Sequence, residues 1–481
     1  MNTITINQHI FRKNDIRGIY PDDLNSDVVY QIGLAFGTYI KNFQKTDITI
    51  AVGHDARVHS EEISEALIKG LSETGVKVLD IGICPTPVLY FACYLDQTNY
   101  QSLFNLPKVS GGIMITGSHN APQYNGLKML IDKHTLQEED INALKDIILS
   151  EKFKKDDEKP PIKMELNSSY KDYLRSKFSS FDRLKVVVDS ANGTAGLIVP
   201  DLLKKLGCEV IQLFTRPDGR FPFHHPDPTL QENMELLASI VQDNDADIGF
   251  GYDGDSDRIG IISPRGKIIW GDDLMIILSR EIVKEEPGNE KLKFVGEVKC
   301  SQRMYDFISS LGAKPIMCKT GHSFIKQKLK EENALLACEM SGHVFFADKY
   351  FGYDDAIYAT LRVLEIIDKY KHSRGRSFEI DDLLQDLPKV VTTPEIRVES
   401  RDEAKFQVIE NIEKDIANYQ GELEIKDIIT IDGLRIVFKD GFALVRASNT
   451  EPVLVSRFEA RSQIQLEKYK SFLTKLIEKY N

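Results

Sequence analysis

Residues 184–196 read LKVVVDSANGTAG, an apolar run closed by a small polar loop, and residues 205–214 continue as KLGCEVIQLF. This strand, loop, helix, glycine and strand decide the fold because the whole unit recurs about a domain apart. DITIAVGHDAR (47–57) leads through a helix beginning near Ser60 to ETGVKVLDIG (73–82). KFVGEVKCSQ (293–302) leads in the same way to SLGAKPIMCKTG (310–321). Gly75, Gly207 and Gly312 stand at the matching helix ends, where a left-handed residue without a Cβ avoids a clash. Strands alternating with helices predict mixed α/β domains whose functional residues lie in the loops at the strand ends.

The boundaries follow from changes of composition. EKFKKDDEKPPIKM (151–164) is a charged, proline-containing linker, and it follows a helix that Thr135 and Glu138 are expected to start as a capping box. A second break is expected near 266 and a third within 371–394. Toward the C-terminus the pattern becomes strand pairs turning at Asp432-Gly433 and Asp440-Gly441, then a helix from about Ser462. Such turns favour hairpins, so this part reads as α+β. The expected domains are 1–164, 165–266, 267–385 and 386–481: three related, sandwich-like mixed α/β domains and one C-terminal α+β domain.

At 481 residues the chain exceeds one hydrophobic core. No apolar run is long enough to span a membrane. A net charge of −12 without a dense Lys/Arg run argues against a nucleic-acid partner, whereas a local group of cations can still receive a small anion. The N-terminus lacks the basic-then-apolar order of a secretory signal, and the six cysteines form no C-x-x-C. Both features lead us to expect a cytoplasmic chain without a disulfide framework or zinc ribbon.

Three loops concentrate chemistry. IMITGSHNAPQYNGLKML (113–130) sets Ser118 between two strands. Adjacent side chains of an extended segment point to opposite faces, so Ser118 and His119 are not expected to share a hydrogen bond. GFGYDGDSDRIGII (249–262) places Asp253, Asp255 and Asp257 on one side of a loop, where like charges repel unless a cation sits among them. It is no EF-hand, since the sixth and twelfth positions are Arg258 and Pro264. Three carboxylates suit Mg²⁺; a polar turn is the plainer reading. LVRASNTEP (444–452) packs Arg446, Ser448, Asn449 and Thr450 into a plausible phosphate clamp, or a capped turn. KTGHSFIK (319–326) and CEMSGHVFFADKYFGYDD (338–355) are two further polar loops, in which Glu339, Ser341 and His343 can hydrogen-bond hydroxyls or face solvent. His224-His225 lacks metal-ligand spacing and reads as structural or sugar-adjacent.

Taken in order, FRKNDIRGIY, TGSHNAPQYNGLK, DGDSDR, KTGHSFIK, EMSGHVFF and RASNTEP resemble the α-D-phosphohexomutase superfamily, and within it the bacterial phosphomannomutase/phosphoglucomutase group. The resemblance covers nearly the whole chain. It implies four domains around a central active-site cleft, with Ser118 carrying a phosphoryl group. It implies one Mg²⁺ held by Asp253, Asp255, Asp257 and a phosphoserine oxygen. A hexose 1- or 6-phosphate would take the phosphoryl group, pass through a hexose 1,6-bisphosphate, and return the other phosphate after turning around. Lys128, His343 and Arg17 become the acid–base candidates, His119 positions the phosphoserine, and Lys299, His322, Glu339, Ser341 and Arg258 bind substrate. Arg446, Ser448, Asn449 and Thr450 hold the phosphate that is not reacting. Mannose and glucose phosphates are the implied substrates, and a monomer or weak dimer the implied state.

The rival readings are a phosphoglucosamine mutase of the same superfamily, a phosphatase-like phosphotransferase acting through its phosphoserine, and a non-enzymatic sugar-phosphate binder. The serine of EMSGH favours the first-named group over the glucosamine enzymes. Asn14, His54, Ala121 and Asp273 depart from the residues the resemblance leads us to expect, and they bear on substrate choice rather than reaction class.

Overall fold

The computed structural model describes residues 6–44, 46–98, 107–286, 288, 292–401, 404–448 and 452–481. All three sequence repeats are right where the glycines put them. Thr49–His54, Lys185–Asp189 and Lys293–Glu297 form the first strands, followed by helices Ser60–Ser72, Val199–Lys205 and Gln302–Ser310. Gly75, Gly207 and Gly312 then take positive φ (76°, 91° and 77°) before strands Lys77–Ile83, Glu209–Leu213 and Lys314–Cys318. A Cβ at Gly207 would lie 2.7 Å from the Phe181 carbonyl oxygen, so close approach adds to the φ requirement there.

In every repeat the first strand is central. Thr49–His54 pairs in parallel with Lys77–Ile83 and with Gly111–Ile115. Lys185–Asp189 pairs in parallel with Glu209–Leu213 and Ile248–Tyr252. Lys293–Glu297 pairs in parallel with Lys314–Cys318 and Leu336–Cys338. Parallel pairing brings the loops after the first and third strands to the same, carboxyl edge of each sheet. The third strands run directly into the Ser118, Asp253 and Glu339 loops. The repeat therefore explains why three loops far apart in sequence occupy equivalent places in three sheets.

Near-continuous apolar strands make these sheets buried ones. Thr49–Val52 and Val186–Val188 are buried throughout. Helix Ser60–Ser72 turns Ile63, Leu67, Ile68 and Leu71 inward, with Glu61 and Glu62 in its first turn and Lys69 in its last, as the helix dipole favours. The helix Glu138–Leu149 does begin with a capping box, but Gln137 and Asp140 form it instead of Thr135 and Glu138. The C-terminal sheet is antiparallel. Ile425–Ile429, Leu434–Phe438, Gly441–Ala447 and Val453–Ala460 pair in succession, and helix Gln463–Tyr480, capped by Ser462, packs Leu466, Tyr469, Leu473 and Ile477 into their core. The polar stretch at 266 is the turn of a hairpin between Ile259–Ile262 and Ile268–Ile269.

The chain divides into two compact units. The first comprises the chain to Trp270 with Ser341–Phe345 and Tyr353–Asp381; the second comprises Gly271–Met340, Phe346–Gly352 and Asp382–Asn481. No helix among the described residues is long and apolar enough to cross a membrane, and all six cysteines are buried free thiols.

Candidate active site

Ser118 follows strand Gly111–Ile115 and is itself left-handed, with φ 49°. That turn corrects the expectation drawn from an extended segment. Ser118 Oγ lies 3.2 Å from His119 Nδ1, because the reversal at Ser118 swings both side chains to one side. Ser118 Oγ also donates to Asp253 Oδ2 at 2.8 Å. Burial, then Arg258, Arg17, His343 and Lys128, push the His119 pKa well below the ordinary histidine value, so the ring is neutral at pH 7.

The loop is held by a residue the sequence reading passed over. The buried Arg57 guanidinium donates from Nη1 to the carbonyls of Ala121 (2.6 Å) and Tyr124 (3.0 Å), and from Nη2 to those of Ser118 (2.9 Å) and Asn120 (2.5 Å). Its Nε donates to Asp55 Oδ2, which also accepts Gly117 N–H. The signal in GHDAR is its arginine. Arg17 reaches the same loop, donating to Asn120 Oδ1 at 2.5 Å and to Asp15.

Asp253, Asp255 and Asp257 are wholly buried, and one oxygen of each falls within 4.8 Å of the others. Ser256 is left-handed at φ 64°, which keeps the run folded around one point. Asp253 Oδ1 accepts the Asp257 and Arg258 amides. Lys128 donates to Asp255 and Asp257. Burial lowers the Lys128 pKa, but the three aspartates outweigh it and the net shift is upward. Burial and the Asp255 and Asp257 charges raise Asp253. Asp257 ends below the carboxylate range because Lys128 and His343 overcome burial. Thr86 Oγ1 donates to Asp255 Oδ2, while Asp255 Oδ1 is buried with no hydrogen-bond partner. An orphaned, fully buried carboxylate oxygen among hard oxygen donors is what a small divalent cation requires, so the residues fit a metal. His343 Nε2 lies 3.2 Å from Asp257 Oδ1 and receives Arg258 Nε at 3.3 Å.

The structure thus brings together Ser118, His119, Lys128, Arg17, Arg258, His343 and the three aspartates within the first unit. Asp354 is close as well, 4.0 Å from His343. Ser341 lies two residues before His343. His224 pairs with Asp189 at 3.1 Å.

The second unit carries a different chemistry. Lys299 Nζ is 2.6 Å from Glu395 and 3.7 Å from Glu297, and its ammonium holds the Glu395 carboxyl down to about 2. His322 opens helix His322–Glu332 after Gly321, and Glu339 is buried. Arg446 donates to Asp432 through Nε at 2.9 Å, and Asp432 also accepts the Thr320 amide at 3.1 Å. The Ser448 carbonyl accepts from Lys405 Nζ. Asn449 and Thr450 lie outside the described residues. Asp273 pairs with Arg303, and burial with Asp272 nearby pushes its carboxyl up to about 6. Glu297, Glu395 and Asp432 were missed in the sequence because each acts through loops distant in the chain.

The sequence matches the phosphoglucomutase/phosphomannomutase alpha/beta/alpha domains I, II and III over residues 8–155, 168–266 and 270–389, and the C-terminal domain over 395–476. The chain belongs to the phosphoglucomutase/phosphomannomutase family. It is a phosphohexomutase, an isomerase. It is 39% identical over 471 residues to a Pseudomonas aeruginosa phosphomannomutase/phosphoglucomutase, covering 97% of this chain and 95% of the other. It is 38% identical over 476 residues to a Neisseria gonorrhoeae phosphoglucomutase, covering 98% of each. The crystal structure of a phosphoglucomutase/phosphomannomutase family protein from Burkholderia thailandensis, 36% identical, superposes with a TM-score of 0.88 over 99% of this chain and 98% of that one. The four sheets are those of the family's four domains.

Proposed function

We propose that this phosphohexomutase interconverts the 1- and 6-phosphates of mannose and glucose through a phosphoserine at Ser118. The observation that carries the proposal is Ser118 Oγ, 2.8 Å from Asp253 in a buried cluster whose Asp255 keeps an orphaned oxygen. Phosphoserine 118 gives its phosphoryl group to the free sugar hydroxyl: the serine O–P bond breaks, a P–O bond forms to the sugar oxygen, the hydroxyl proton leaves to a base, and the departing Ser118 oxygen takes up a proton. The 1,6-bisphosphate turns around and returns its other phosphate to Ser118. Asp253, Asp255 and Asp257 would hold Mg²⁺, which when bound neutralises charge on the transferring group.

Each residue has a distinct part in this reading. Arg57 keeps the Ser118 backbone in the turn that presents Oγ. Lys128 keeps a positive charge beside the aspartates, where it supports the negative oxygens of the transferred group. His343, Arg17 and Lys128 are the candidates for moving the hydroxyl proton, and neutral His119 orients Ser118. Lys299, His322, Glu339, Ser341 and Arg258 are the residues proposed to read the sugar; Arg446, Ser448, Asn449 and Thr450 would bind the non-reacting phosphate. The domain boundaries proposed are residues 164, 266 and 385. Six free cysteines support a reducing, cytoplasmic setting, and we place the enzyme there as a monomer or weak dimer without a nucleic-acid partner.

³¹P NMR tests the reading. With Mg²⁺ and a trace of glucose 1,6-bisphosphate, glucose 1-phosphate and mannose 1-phosphate should both become 6-phosphates with little free phosphate. Conversion of glucosamine 1-phosphate alone would overturn the substrate assignment, and accumulation of inorganic phosphate would overturn the mutase cycle.

A further inference from the structure

The three repeats share a feature beyond their strands. Each central strand is closed by an acid that accepts the amide two residues on: Arg57 N–H to Asp55 Oδ1 at 3.0 Å, Ala191 N–H to Asp189 Oδ1 at 2.8 Å, and Lys299 N–H to Glu297 Oε2 at 3.0 Å. In the first repeat this acid also braces the loop after the third strand, since Asp55 accepts Gly117 N–H beside Ser118 at 3.1 Å. The third repeat has a glutamate there, one methylene longer, and Glu297 gathers more. Wholly buried, it accepts Thr320 Oγ1 at 2.6 Å and Met340 N–H at 3.4 Å in addition to the Lys299 amide. The Lys299 ammonium is 3.7 Å away.

Those partners belong to three different loops. One carries Lys299, the next carries His322 two residues after Thr320, and the last carries Glu339 beside Met340. We infer that Glu297 is a positioning residue for sugar recognition, a single buried carboxylate that sets the mutual register of Lys299, the His322 loop and the Glu339 loop without touching substrate. The inference rests on the sugar-reading role proposed above. An ionised carboxylate offers acceptor sites on both oxygens and no donor, as these donors require. Glutamine would turn an NH₂ group toward donors and leave one loop unheld. Aspartate keeps the charge and shortens the reach.

Full-length Glu297→Gln, Glu297→Asp and Thr320→Val test this by steady-state kinetics on glucose 1-phosphate and mannose 1-phosphate. Misplaced binding groups raise KM while the phosphoryl-transfer residues of the first unit keep kcat. Glu297→Gln should raise KM by about tenfold or more with kcat within about threefold of wild type. Glu297→Asp should recover most of that loss. Thr320→Val, which removes one of the bonds and no charge, should raise KM by about threefold and decides the matter where Glu297→Gln fails to fold. Unchanged KM in a folded variant, or a fall in kcat alone in proportion to the unfolded fraction, overturns the inference. Absence of turnover in the wild-type enzyme is a separate outcome; it removes the functional reading and this inference with it.

Discussion

The loop that carries Ser118 is braced by a buried cation, whereas the loops that carry Lys299, His322 and Glu339 are braced by a buried anion. The difference follows from the backbone groups each loop leaves unpaired. The left-handed turn at Ser118 points the carbonyls of residues 118, 120, 121 and 124 inward, and a guanidinium is the one side chain with enough donors in a plane to meet four of them. In the second unit the groups turned inward are donors instead, the Lys299 and Met340 amides and the Thr320 hydroxyl. There a carboxylate serves. The sign of each brace is thus set by local backbone geometry rather than by the sign of the substrate.

Removing the cationic brace should have the largest effect. Arg57→Met strands Asp55 and four carbonyls in the interior, and a buried ion pair broken on one side costs about 3–5 kcal/mol. We expect a fall in stability of that order by urea denaturation and a loss of kcat of about a hundredfold or more in the folded fraction. Arg57→Lys should not rescue it, since an ammonium cannot meet two pairs of carbonyls at once. Near-wild-type activity in Arg57→Lys would break the comparison, for a point charge would then suffice.

The next effect sharpens the same contrast at the aspartates. Lys128→Met removes from Asp253, Asp255 and Asp257 the one ammonium that donates to two of them. The metal-free variant should lose about 2–4 kcal/mol, and Mg²⁺ should raise its Tm by more than it raises that of the wild type, because the divalent ion replaces the missing charge. An equal Mg²⁺ response in the two proteins would show that the lysine and the metal site are independent.

These braces were the least legible part of the sequence. Local signals were read well: the three glycine-ended helices, the hairpins at Gly433 and Gly441, the Ser462 cap and the aspartate run all lie within a few residues of their cause. Arg57 escaped because its acceptors are 61 to 67 residues away, and Glu297 because Met340 is 43 residues away. The relation between Ser118 and His119 failed for the opposite reason. Alternation assumes extended backbone, and one positive φ at Ser118 defeats it. The capping box moved from Thr135 and Glu138 to Gln137 and Asp140 because Thr135 is still in a strand, paired with Leu130.

A smaller effect is expected where one brace holds a binding residue directly. Asp432 joins Arg446 to the Thr320 amide, so Asp432→Asn should weaken phosphate binding by about fivefold in KM with little change in kcat. A change in kcat without a change in KM would mean that Arg446 does its work without this support.

The smallest effect separates the two acids around Lys299. Glu297 is buried and accepts amides, while Glu395 is about a quarter exposed and pairs with the ammonium. The Lys299 charge, against the opposing effect of burial, depresses the Glu395 carboxyl from 4.5 to about 2. A carboxyl whose folded pKa is lowered adds stability above its unfolded pKa, and that stability is lost as pH falls through the folded value. The contribution is therefore complete above about pH 4.5 and gone near pH 2, and partial exposure reduces it to about 1–2 kcal/mol. Glu395→Gln should lower stability by that amount at pH 7, and its stability should fall less steeply than that of the wild type between pH 4.5 and 2, so that the two curves converge in acid. Parallel curves across that window would show that Lys299 is balanced by Glu297 instead, so that the anionic brace would also carry the charge now assigned to Glu395.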